Sequence, residues 1–133
     1  MKFYLIVGLL VLALLAVVGC AQQQQTAESS YMDVTPAEAK ALIDNNPDLI
    51  IIDVSPNYSQ GHLPGAINYY VGDDSLDEAI PMLDENKKYL VYCHVDSAAI
   101  LGAQKLVYAG FKNVYRLEGN YKAWVDAGYP VEK

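Results

Sequence analysis

Cys93 is the residue in this sequence best placed to do chemistry. The run Tyr89-Leu90-Val91-Tyr92-Cys93-His94-Val95-Asp96-Ser97-Ala98-Ala99-Ile100 sets it where an apolar strand gives way to a short loop and a helix start. A thiol at the carboxyl end of a buried strand, facing loop amides and a helix amino end, sits where a thiolate or a bound anion is stabilised. That setting makes Cys93 a candidate nucleophile. A small buried structural cysteine would occupy the same position, because free Cys packs like a hydrophobe. His94 follows directly and adds positive charge when protonated, with Asp96 close enough in sequence to offset it.

Several elements must position this thiol. Thr35-Pro36-Ala37-Glu38 has a helix-start pattern, with Thr as cap, Pro in the first turn and Glu three residues after the cap, and predicts a helix from Pro36 to about Asn45. Leu49 to Val54 is a continuous apolar run, broken only by Asp53, of the kind buried on both faces of a parallel sheet. Gly61-His62-Leu63-Pro64-Gly65-Ala66-Ile67-Asn68 reads as a fixed turn leading into a brief strand. Asp74 to Leu83 fits a short helix weakened by Pro81, Lys88 to Tyr92 a strand, and Ser97 to Tyr108 a helix closed by Gly110. Val114 to Leu117 is a further strand, followed by a last helix around Tyr121 to Asp126.

Strands alternating with helices at this spacing imply an α/β domain whose central sheet is mostly parallel and flanked by helices on both faces. In such sheets ligands bind beyond the carboxyl ends of the strands. Asp53, Ser55, the turn holding His62, and the Cys93 loop then share one rim. Asp53, ending a buried strand, suits an organiser of rim hydrogen bonds. His62, in a rigid Gly/Pro setting, suits a residue that fixes the turn, and Trp124 suits core packing. Tyr69 and Tyr70 are the tyrosines expected to line the rim.

The amino end is a different material. Lys2 is followed by sixteen apolar residues, Phe3 to Val18, then Gly19-Cys20. That is somewhat short of the ~20 residues that span a bilayer as a helix, so residues 1–20 read as a cleaved signal peptide, with an uncleaved membrane anchor or plain secretion as the alternatives. Val17-Val18-Gly19-Cys20 resembles the lipobox of bacterial lipoproteins, which implies lipid on Cys20 and an extracytoplasmic, membrane-anchored protein. Residues 21–30 form a polar, glutamine-rich tether, leaving one folded domain over 31–133. With Cys20 lipidated, Cys93 has no partner for an intramolecular disulfide.

The 133 residues carry a formal net charge of −7, and Arg116 is the only arginine. Nucleic acid is therefore not an expected partner. Neither a metal nor another cofactor is expected: His62, His94 and Cys93 lack ligand spacing, and no glycine pattern with Lys marks a phosphate cradle. Nothing in the sequence sets the oligomeric state. A phosphatase-type loop would place Arg six residues after the cysteine, where this chain has Ala99. A reversible thiol sensor is a minor option.

Taken in order, Thr35-Pro36-Ala37-Glu38-Ala39, Leu49 to Val54, Gly61 to Asn68, Tyr92-Cys93, Ala109-Gly110-Phe111-Lys112-Asn113-Val114 and Leu117-Glu118-Gly119 with Ala123-Trp124 resemble a single-domain rhodanese, a member of the sulfurtransferase family. The resemblance implies the rhodanese-like α/β fold and a catalytic Cys93 that carries sulfur as a persulfide. It implies a substrate-binding loop of His94, Val95, Asp96, Ser97 and Ala98, a small sulfur donor such as thiosulfate, and a thiol or cyanide acceptor. The chain departs from the family in two places. Ser55 stands where members commonly have Arg, and Ala98 where a basic residue often closes the loop, while Asp96 adds a negative charge. Both changes remove attraction for an anionic donor, so a catalytically weak or inactive binding or sensing module is the alternative reading.

Overall fold

The computed structural model describes residues 30–133, so Cys20, the expected leader and nearly all of the tether lie outside the described residues. The described chain runs β1 (Met32–Val34), α1 (Pro36–Asn45), β2 (Ile50–Asp53), a 3-10 turn (Tyr58–Gln60), β3 (Ile67–Asn68), α2 (Ser75–Ala79), a second 3-10 turn (Ile80–Met82), β4 (Lys88–Tyr92), α3 (Asp96–Tyr108), β5 (Asn113–Leu117) and α4 (Asn120–Asp126). The five strands form one sheet in the order β1-β5-β4-β2-β3. Every strand pair in it is parallel.

The expected architecture is present, and its causes are local. Thr35 Oγ1 accepts the Glu38 N–H at 3.2 Å while Glu38 Oε2 accepts the Thr35 N–H at 2.8 Å, closing the capping box that starts α1. Pro81 cuts the Asp74–Leu83 segment into a five-residue α-helix and a 3-10 turn, because it has no N–H for the helical ladder and its ring crowds the preceding turn. Strand β1 was not expected. It holds three residues, two of them exposed, and pairs only with β5 at the sheet edge.

Side chains alternate across the sheet and build two cores. Ile52, Tyr89, Val91 and Cys93 pack with Leu76 of α2 and with Ala99, Ala103 and Leu106 of α3. Ile51, Leu90, Tyr92 and Leu117 pack on the opposite face with Ala39 of α1 and Trp124 of α4. Trp124 is fully enclosed there, and its indole N–H donates to Pro130 O at 2.9 Å. Helix α3 lies close on the sheet because Gly102 has no side chain: a Cβ there would sit 3.0 Å from Val54 Cγ1. That contact fixes the height of the helix whose first turn follows Cys93.

Candidate active site

Cys93 continues the β4 side-chain alternation, so its thiol falls on the α3 face with only 1% of the residue exposed. Its backbone is clamped from the β5–α4 junction. The Cys93 N–H donates to Asn120 Oδ1 at 3.2 Å, and Cys93 O accepts the Tyr121 N–H at 3.0 Å. Asn120 holds φ 59°, the one non-glycine residue with positive φ among those described, directly after Gly119 at φ 72°. Asn tolerates this left-handed conformation better than most residues. The conformation turns its amide toward both neighbours, since Asn120 Nδ2 also donates to Asp96 Oδ1 at 2.9 Å.

One correction concerns Asp96. Helix α3 begins at Asp96, one residue earlier than expected, so Asp96, Ser97 and Ala98 form its first turn and the loop shrinks to His94 and Val95. Arg116 donates through Nη1 to Asp96 Oδ1 and through Nε to Asp33 Oδ1 at 2.7 Å. Asp96 is thus paired with the sole arginine and accepts from Asn120, while the carboxylate facing His94 is that of Asp53. Ser97 is exposed, Ala98 packs half-buried against the Cys93-side core, and Val95 stands 58% exposed before the helix.

Opposing influences act on the ionisation of the Cys93 thiol. Burial pushes the Cys93 pKa up, the amide N–H groups of Val95 and His94 draw it part of the way back, and the Asp53 carboxylate raises it again. The net direction is upward. The loop amides are where the sequence placed them, but burial outweighs them.

Asp53 lies at the carboxyl end of β2 and is wholly buried. Its Oδ1 accepts the Ser55 N–H at 2.8 Å, and its backbone carbonyl accepts Asn68 Nδ2 at 2.9 Å and the Tyr69 N–H at 3.0 Å. Asn68 Nδ2 also donates to Ser55 O at 2.9 Å, so Asp53, Ser55 and Asn68 form one rim network. Asp53 Oδ2 has no partner. It faces His94 Nε2 at 3.9 Å, and that nitrogen is likewise buried and unpartnered. The His94 ring stacks on Tyr121, with centroids 4.3 Å apart.

The structure brings Cys93, His94 and Asp53 together and sets His62 apart from them. His62 stacks on Tyr58 at 3.7 Å, its Nδ1 lies 3.0 Å from Tyr58 O, and its backbone exchanges hydrogen bonds with Glu132. The start of its turn lies against Tyr121: a Cβ on Gly61, at φ +152°, would fall 2.0 Å from the Tyr121 hydroxyl oxygen. Tyr69 packs beside the Cys93-side core, whereas Tyr70 folds over Gly72. Arg116, Asn120 and Tyr121 were not singled out as site residues. The sequence held two faint signals for them, a single arginine and a Gly-Asn pair after a strand.

Residues 35–127 match the family of rhodanese-like domains. The chain is 33% identical to a putative thiosulfate sulfurtransferase of Synechococcus elongatus over 98% of its own length, and it spans only 48% of that protein. It is 29% identical to the thiosulfate sulfurtransferase GlpE of Pseudomonas fluorescens, covering 78% of this chain and 93% of that one. The solution structure of the rhodanese-like domain of the Anabaena protein Alr3790 superposes with a TM-score of 0.67 at 29% identity, over 75% of this chain and 77% of that one. With the five-stranded parallel sheet and Cys93 at the end of its central strand, these matches show that the chain belongs to the rhodanese-like domain family.

Proposed function

We propose that this protein is a sulfurtransferase that carries sulfur as a persulfide on Cys93 and is held outside the cytoplasmic membrane by lipid on Cys20. The observation that carries the reading is the clamped thiol: Cys93 is pinned at both backbone atoms by Asn120 and Tyr121, with the His94 and Val95 amides directed at its sulfur. The Cys93 sulfur attacks the outer sulfur of a small donor, the donor's S–S bond breaks, and the outer sulfur stays on the protein. An acceptor thiol or cyanide then removes it. Cysteine suits both halves, being a strong nucleophile as thiolate and leaving an electrophilic outer sulfur as persulfide. Relatives named thiosulfate sulfurtransferase support thiosulfate as a donor.

Two observations favour a second reading, a binding or sensing module. The thiol is almost fully enclosed and its pKa is raised, and Ala98 leaves the loop without the basic residue common in the family.

Intact mass of the full chain carrying Cys20→Ser, in detergent, separates the two. The transferase gains one sulfur atom from thiosulfate or a small-thiol persulfide, loses it to cyanide, and gains none as Cys93→Ser. No gain from either donor establishes the binding module in its place.

A further inference from the structure

We propose that Arg116 is a positioning residue for Cys93, acting through Asp96 and Asn120 to set the loop that holds the reacting sulfur. The inference rests on reading Cys93 as the sulfur carrier. It starts from a continuous line of hydrogen bonds. Arg116 Nε on β5 donates to Asp33 Oδ1 on β1 at 2.7 Å, and its Nη1 donates to Asp96 Oδ1 at the start of α3. Asn120 Nδ2, at the start of α4, donates to that same Asp96 oxygen at 2.9 Å, and Asn120 Oδ1 accepts the Cys93 N–H at 3.2 Å. The line ends on the backbone of the nucleophile.

Each link supplies what its neighbour lacks. Helix α3 has Val95 at its cap position, which gives its first amides no side-chain acceptor. Its first turn is held from outside instead, by the grip on the Asp96 carboxylate. An Asn side chain can present either its oxygen or its NH2 to a neighbour. Because a carboxylate oxygen accepts, Asn120 turns its NH2 toward Asp96, and that choice leaves its own oxygen for the Cys93 N–H. His94 and Val95, whose amides face the sulfur, lie between these two fixed points. Fixing both ends of that short loop aims its amides at the place where a persulfide anion forms.

Arginine suits the head of this line. Arg116 is 8% exposed, whereas the side chains of Asp33 and Asp96 are 42% and 61% exposed. A guanidinium drawn out of water needs partners in fixed places, and its planar fork spans two carboxylates where an ammonium offers a single point. The Tyr31 ring, its centroid 6.0 Å from Arg116 Cζ, faces the guanidinium as well. With its fork taken by Asp33 and Asp96, Arg116 holds the loop and does not meet the donor.

The test separates positioning from attraction of the donor. Sulfur uptake by the full chain carrying Cys20→Ser, in detergent, is followed by intact mass over a range of thiosulfate concentrations. Arg116→Lys, which keeps the charge and loses the fork, lowers the maximal rate about 10-fold while the half-saturating concentration stays within about twofold. Asp96→Ala loses a similar share of the maximal rate, and Asp96→Asn, which keeps an oxygen for both donors, recovers part of that loss.

Amide exchange at the Cys93 N–H, read by NMR, follows the same link without sulfur transfer, so its failure is distinguishable from that of the transferase reading. Arg116→Lys and Asp96→Ala speed it about 10-fold relative to the Leu90 and Val91 amides of β4, whereas a general loss of stability speeds all three together. Cys93 exchange that is unchanged, or that moves in step with β4, leaves Arg116 a tie between β1 and β5 and overturns the proposal. A raised half-saturating concentration at an unchanged maximal rate overturns it too, by assigning Arg116 to the donor. If the unaltered chain takes up no sulfur, the transferase reading fails and the exchange result alone decides. Cooperative thermal unfolding checks that each variant folds, and Asp96→Ala, at an exposed side chain, carries the test if Arg116→Lys does not.

Discussion

The two histidines of this chain have almost the same surroundings and opposite hydrogen bonding. Each ring is stacked on a tyrosine, His62 on Tyr58 and His94 on Tyr121. His62 spends its nitrogens on the fold: Nδ1 lies at Tyr58 O, and Nε2 is 3.6 Å from Glu132 Oε2. His94 keeps a buried nitrogen unspent beside an equally unspent carboxylate oxygen. Ring stacking therefore does not distinguish the two histidines, and satisfaction of their polar atoms does.

The contrast breaks if the two rings can be exchanged in effect. We expect His94→Gln to slow sulfur uptake several-fold, because the ring adjoins Cys93 in the chain, and to cost the stability only its stack on Tyr121, since the ring makes no hydrogen bond through its buried nitrogen. His62→Gln should do the reverse. Losing the Tyr58 stack and the bond to its carbonyl costs roughly 1–2 kcal/mol, or about 4–8 °C in Tm per kcal/mol for a domain near this size, while sulfur uptake per folded molecule stays within about twofold. Thermal unfolding and the mass assay on the same two samples decide it. Equal losses of activity would place the His62 turn inside the site.

Asn120 sharpens the comparison from the backbone side. Asn120→Ala removes the acceptor of the Cys93 N–H and the donor to Asp96, and also places an alanine at φ 59°, for an expected loss of about 2–3 kcal/mol. Asn120→Gly removes the same hydrogen bonds but adopts positive φ freely, so it should recover about 1 kcal/mol in denaturant titration. If the two variants unfold alike, the conformation carries no strain and Asn120 acts through its amide alone.

Much of this was legible in the sequence because the signals were local. The Thr35–Glu38 capping box, the Ile50–Asp53 strand and the Gly-bounded turn each depend on neighbours within a few positions, and each folds as read. Strand β1 was missed because Met32 and Asp33 are exposed at the sheet edge, so no hydrophobic pattern announces them. In the site, the thiol's place at the end of β4 was legible, but the depth of its burial was not. Desolvation by α3 depends on Gly102 lying so close to Val54 that an added Cβ would sit 3.0 Å from Val54 Cγ1, an approach between segments far apart in sequence. The partners of Asp96 were not legible for the same reason: Arg116 arrives from β5 and Asn120 from the start of α4.

The smallest expected effect concerns charge at Ala98, where the chain departs from the basic residue common in the family. Ala98 is half-buried in the first turn of α3, and the chain's one arginine is already held by Asp33 and Asp96. Ala98→Arg would bring a cation to the rim that faces the donor. Attraction for a dianion at a partly solvated position is worth about 1 kcal/mol, roughly a fivefold gain in thiosulfate loading, offset in part by placing a cation at the positive end of a helix dipole. The gain should fade as salt rises from about 0.01 to 1 M, over which the screening length falls from about 30 to 3 Å. Loading from an uncharged persulfide should not change. A gain with both donors would mean that the substitution opens the enclosed thiol and does not act through charge, and the loop's lack of a basic residue would then say nothing about the donor.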